Sequence, residues 1–118
     1  MGRLGIAFSG GADPAEIVDC IKLAETLGFE SACTTSVFVR TVQTIAMAAA
    51  TVDATSAGRF ILGVGSSHKV QVGPEHGVPY GKPLTRVRES VAVIRALLRD
   101  GRVSNRGETV HIEGFGLG

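Results

Sequence analysis

Arg59-Phe60-Ile61-Leu62-Gly63-Val64-Gly65-Ser66-Ser67-His68 is an apolar run closed by a glycine, two hydroxyls and an imidazole. The apolar residues follow one another without alternation. A run this short, bounded by turn residues, reads as a strand over residues 59–64 buried on both faces, as in parallel sheets covered by helices. In open α/β sheets ligands gather at the carboxyl ends of the strands. Gly65, Ser66, Ser67 and His68 therefore stand where a small molecule is met.

The chain before this run alternates strand and helix. Leu4-Gly5-Ile6-Ala7-Phe8 is a short apolar strand leading into Ser9-Gly10-Gly11. Asp13-Pro14-Ala15-Glu16 then carries a cap, a proline suited to the first helical position and an acid three residues after the cap. Ile17, Val18, Ile21, Ala24 and Leu27 form one apolar stripe at helical spacing, and Gly28 supplies the left-handed residue that closes the helix. Phe29 to Val39 reads as extended. A helix over Thr44–Thr55, rich in alanine, presents Ile45, Ala49 and Val52 on one side, with Met47 as a further core residue.

After His68, the glycines and prolines between Lys69 and Pro83 read as one long loop, of the kind that carries function. A helix over Thr85–Arg99 follows, with a stripe of Leu84, Val87, Val91, Ile94 and Leu98, and with Arg95 and Arg99 near its negative end. Val103 to Ile112 reads as a hairpin turning near Gly107. The order is β-α-β-α-β-α plus a hairpin, which argues an α/β fold with a parallel sheet and right-handed crossovers.

Composition narrows the function classes. The chain has 118 residues, 44% of them apolar, and a net charge of +1, which fits one domain over residues 1–118. Its arginines are spread from Arg3 to Arg106 without a basic run, so nucleic acid is not an expected partner. No apolar run approaches the ~20 residues that cross a bilayer, and no basic-then-apolar leader opens the chain, so the expectation is a cytoplasmic protein without membrane contact. Cys20 and Cys33 lack metal-ligand spacing and read as small buried hydrophobes in a reducing compartment.

Three motifs have simpler explanations. Gly63-Val64-Gly65 would need a third glycine at position 68 to make a dinucleotide fingerprint, and His68 stands there. His68, Glu75 and His76 share one loop at spacings unlike a helical ligand pair, so no metal is expected. Phe8-Ser9-Gly10-Gly11-Ala12-Asp13 resembles the phosphate loop of ATP pyrophosphatases, a nucleotide-binding alternative. Pro14 replaces that family's serine, and Asp13 is equally explained as a cap.

Longer segments carry a broader resemblance. Gly58 to Gly65, Glu75-His76-Gly77-Val78-Pro79-Tyr80, Pro83-Leu84-Thr85-Arg86 and Arg88-Glu89 together resemble luciferase-like oxidoreductases. The branch most similar is the deazaflavin-dependent group that includes methylenetetrahydromethanopterin reductase. Thr35 to Thr41, Ala48 to Asp53 and the opening Leu4 to Glu30 fit the same pattern. The resemblance implies a (β/α)₈ barrel, typically ~250 residues, of which this sequence would be a shortened and internally deleted part: a partial TIM-type barrel of about three βα units plus the hairpin. It implies FMN or a deazaflavin coenzyme over the strand ends, and transfer of hydride or oxygen to a small organic substrate.

Carried over by position, Thr35, Ser36, Gly65, Ser66 and Ser67 would bind the cofactor, His68 would act in catalysis, and Ser9 and Gly10 would face the substrate. Strands without neighbours invite pairing, so a homo-oligomer, or docking onto a full-length relative, is the expected assembly. A catalytically silent fragment acting through protein association is the alternative.

Overall fold

The computed structural model describes residues 5–8, 13–34 and 40–118. The chain divides into two compact units, Met1–Val37 and Phe38–Gly118. Helices and strands mix in both, and the class is α/β.

The first unit is a βαβ arrangement. Strand β1 (Gly5–Phe8) pairs in parallel with β2 (Ser31–Thr34), from Gly5 opposite Ser31 to Phe8 opposite Thr34. Helix α1 (Pro14–Thr26) stands between them in sequence. Its start follows the expected chemistry. The Ala15 amide donates to Asp13 Oδ1 at 2.9 Å, and Pro14 occupies the first turn, where its missing N–H costs nothing. At the other end Gly28 takes φ +84°, and the Phe29 amide donates back to the Ala24 carbonyl.

The apolar stripe of α1 is only partly covered: Ala24 is buried, Ile17 and Ile21 are half-buried, and Val18 and Leu27 are exposed. Cys20, expected inside, is exposed. It lies at the edge of the Ile17–Ile21–Ala24 line, about 40° around the helix from Ala24 and about 100° from Ile21, where the cover has ended.

The second unit holds the main core. Helix α2 (Val42–Thr55) packs on α4 (Pro83–Asp100), and the antiparallel hairpin of β3 (Arg102–Arg106) and β4 (His111–Gly116) closes over them. Val42 and Ala46 of α2 meet Val93, Ile94 and Leu97 of α4, with Val110 and Ile112 from the hairpin. Thr41 caps α2 by accepting from the Thr44 amide. The buried line of α4 is Ser90, Val93, Ile94 and Leu97 rather than the expected Leu84–Val87–Val91–Ile94–Leu98. Leu84 at 80% and Leu98 at 45% remain exposed. Both stripes run through Ile94, and packing against α2 and the hairpin selects the one rotated by a residue. Met47, expected in the core, is likewise exposed, on the side of α2 away from Val42 and Ala46.

Residues 59–68 overturn the central expectation. They form neither helix nor a ladder with any strand among the described residues, and only one side of residues 60–64 is covered. Ile61 is 85% exposed, whereas Leu62 and Val64 lie against the core. A strand needs a neighbour, and the described strands of this unit, β3 and β4, pair with each other. The run sheds water instead by laying alternate side chains on the helices. The expected loop from Lys69 to Pro83 also gives way in part to a helix, α3 (Lys69–His76), anchored by buried Val72 and stopped by Gly77 at φ +63°. No helix among the described residues is long and apolar enough to cross a membrane.

Candidate functional site

The end of the apolar run turns sharply into α3. Ser67 adopts φ +59°, a left-handed conformation that costs an ordinary residue about 1–2 kcal/mol. His68 then takes the position before the first helical residue, in extended geometry and without a side-chain cap bond. The turn draws in a residue from beyond α3. The Tyr80 hydroxyl donates to the Ser67 carbonyl at 3.2 Å and stands 3.4 Å from Ser66 Oγ. Ser66 Oγ itself donates to the Ser67 carbonyl at 3.3 Å. Three hydroxyl-bearing residues and an exposed imidazole thus gather around one short turn.

The glycines before that turn leave room. A methyl group built at Gly63 or Gly65 would meet no heavy atom of the described residues within 4 Å. Packing among the described residues does not require either glycine. A separate groove of about 410 Å³ is lined by Ala49, Asp53 and Ala54 of α2, Phe60 and Leu62 of the run, and Leu98 of α4. It opens at the beginning of the run rather than its end, and Gly65, Ser66, Ser67 and His68 do not line it.

A second polar cluster shapes the hairpin. Glu89 of α4 accepts four hydrogen bonds at 2.7–2.8 Å, from the Glu108, Thr109 and Val110 amides and the Thr109 hydroxyl. The Thr109 hydroxyl and amide are the main cause of a Glu89 carboxyl held at about 2, with the Glu108 and Val110 amides adding to them against partial desolvation. Every donor favours the charged form. Lys82 pairs with Glu108 on the same turn. This cluster is structural: its acceptor is fully engaged by the chain itself.

The structure therefore brings Gly65, Ser66, Ser67 and His68 together and adds Tyr80, which the sequence reading quoted only within a longer segment. Thr35 and Ser36, and Ser9 and Gly10 with their phosphate-loop alternative, lie outside the described residues. A signal for Tyr80 was present in its phenol, the one tyrosine of the chain. Nothing in the sequence tied it to Ser67, thirteen residues away.

The model of the luciferase-like monooxygenase family matches residues 32–117, a span that includes the turn, α3 and Tyr80. The chain belongs to the luciferase-like monooxygenase family. It is also 38% identical over 73 residues to 5,10-methylenetetrahydromethanopterin reductase of Archaeoglobus fulgidus. That alignment covers 62% of this chain and 22% of the reductase, so this member of the family matches about a fifth of its relative's length.

Proposed function

We propose that this luciferase-like chain is an oxidoreductase module, a partial (β/α) barrel, whose Gly65–His68 turn meets a flavin or deazaflavin coenzyme and a small organic substrate. The observation that carries the reading is the family match across a turn where Ser66, Ser67, His68 and Tyr80 converge beside two open glycines. The donor set suits the polar edge of such a ring: hydroxyls that can donate or accept, and an imidazole that can do either. A flat group could lie along Gly63 and Gly65 without meeting a side chain.

FMN or a deazaflavin coenzyme, when bound, would supply the hydride or oxygen chemistry. The protein's part is then positioning. Ser66 Oγ would hold a polar atom of the ring or substrate, and the left-handed Ser67 would set the direction in which Ser66 and His68 point. The His68 imidazole would hold or deliver a proton at a substrate heteroatom. A cytoplasmic setting is part of this reading.

A titration with FMN and with a deazaflavin coenzyme, followed by fluorescence, tests the proposal. Binding is expected, and Ser66→Ala or His68→Ala should weaken it by roughly two- to tenfold, the worth of one hydrogen bond of about 0.5–1.5 kcal/mol. Equal affinity in both variants would remove the turn from the site.

A second reading has its own support. Ile61 at 85%, Leu84 at 80% and Val70 at 77% exposure, with the unladdered backbone of residues 59–68, favour association with another copy or with a longer relative. A concentration-dependent oligomer that ignores both coenzymes would favour this silent module over the enzyme.

A further inference from the structure

We infer that Tyr80 is a positioning residue, whose hydroxyl holds the Gly65–His68 turn in the conformation that presents Ser66 and His68. The presentation of those two groups to a coenzyme rests on the function proposed above; the hold on the turn does not.

The argument begins with the backbone. Ser67 is a non-glycine residue at φ +59°, a conformation that persists when its surroundings over-determine it. A bond to the peptide that follows Ser67 restrains that conformation directly. The Tyr80 hydroxyl supplies it by donating to the Ser67 carbonyl at 3.2 Å, across thirteen positions of sequence. That carbonyl belongs to the peptide joining Ser67 to His68, so fixing it orients both residues.

The intervening chain is built to deliver the phenol. Buried Val72 pins α3 to its unit, and Gly77 at φ +63° ends the helix and redirects the chain toward Tyr80. The Val78 amide donates to the Val72 carbonyl at 3.4 Å, which ties the returning segment to α3. The tyrosine is half-buried, which limits the positions its ring can take.

The arrangement also divides the work between the two hydroxyls. Both Ser66 Oγ and Tyr80 donate to one carbonyl, which has two lone pairs to accept them. When Ser66 turns its proton toward a ligand, the tyrosine bond still holds the Ser67 carbonyl. Ser66 can therefore exchange partners without loss of the geometry that aims it.

Tyr80→Phe removes the hydroxyl and keeps the ring. Backbone order parameters for Gly65–His68, measured without coenzyme, should fall from the rigid range of about 0.85 toward about 0.6 in this variant, while those of Glu108–Val110 stay unchanged. Its affinity for FMN should drop by roughly two- to tenfold. Glycine enters the left-handed region freely, so in a Ser67→Gly background the same Tyr80→Phe change should cost less than half as much affinity. Unaltered order parameters at the turn would overturn the inference, as would a full penalty in the glycine background. If the unaltered protein binds no coenzyme while Tyr80→Phe still loosens the turn, the positioning role stands and the coenzyme reading falls.

Discussion

Two turns of the second unit are held in opposite ways. Residues 107–110 are gripped by one carboxylate through four hydrogen bonds of 2.7–2.8 Å. Residues 65–68 carry hydroxyl contacts of 3.2–3.4 Å, beside glycines that meet none of the described residues. The first turn has its polar groups engaged within the chain. The second leaves an imidazole and a serine hydroxyl available to exchange partners. Tight satisfaction marks the scaffold, and loose satisfaction marks the place where something else can bind.

The largest expected effect comes from adding one methyl group to each turn. At Gly107 a Cβ would lie 2.5 Å from Glu89 Oε2 and 2.6 Å from its carboxyl carbon. That carboxylate is fixed by its four bonds and cannot step aside cheaply. Gly107→Ala should therefore cost about 1–3 kcal/mol by overpacking, read from urea unfolding. Gly65→Ala meets nothing and needs no left-handed backbone, so its stability should stay within about 0.5 kcal/mol. Similar losses at the two positions would erase the contrast.

A smaller effect follows from pH. The folded-state Glu89 carboxyl sits at about 2, below its ordinary 4.5, so the folded protein binds fewer protons there than the unfolded chain. Its contribution is complete above pH ~4.5 and is lost as pH falls toward 2. The stability gap between the native protein and Glu89→Gln should be level from pH 7 to 5 and then shrink on acidification. A gap that stays constant down to pH 2.5 would mean that the carboxylate does not hold the turn.

The two turns also differ in how far the sequence revealed them. The hairpin was legible because Gly107 sits between two β-prone segments, and the start of α1 because Asp13 and Pro14 act locally. The grip of Glu89 was not, since its partners lie 19–21 residues away. Residues 59–64 read as a strand buried on both faces, whereas Leu62 and Val64 lie against the core and Ile61 is exposed; composition cannot say whether a neighbouring strand exists to pair with the run. Gly73 and Pro74 hid α3, whose anchor is the single buried Val72. In α4 two overlapping stripes share Ile94, and only tertiary packing chooses Leu97 over Leu98. Ser66, Ser67 and His68 were singled out by their place after an apolar run, although that run forms no strand.

The contrast between the turns is tested most directly by an FMN titration followed residue by residue in NMR spectra, repeated with a deazaflavin coenzyme. The account predicts the largest shift changes at Gly65, Ser66, Ser67, His68 and Tyr80, with Glu108, Thr109 and Val110 unmoved. Changes confined to the groove beside Ala49 and Leu98, or a turn that ignores both coenzymes, would contradict it.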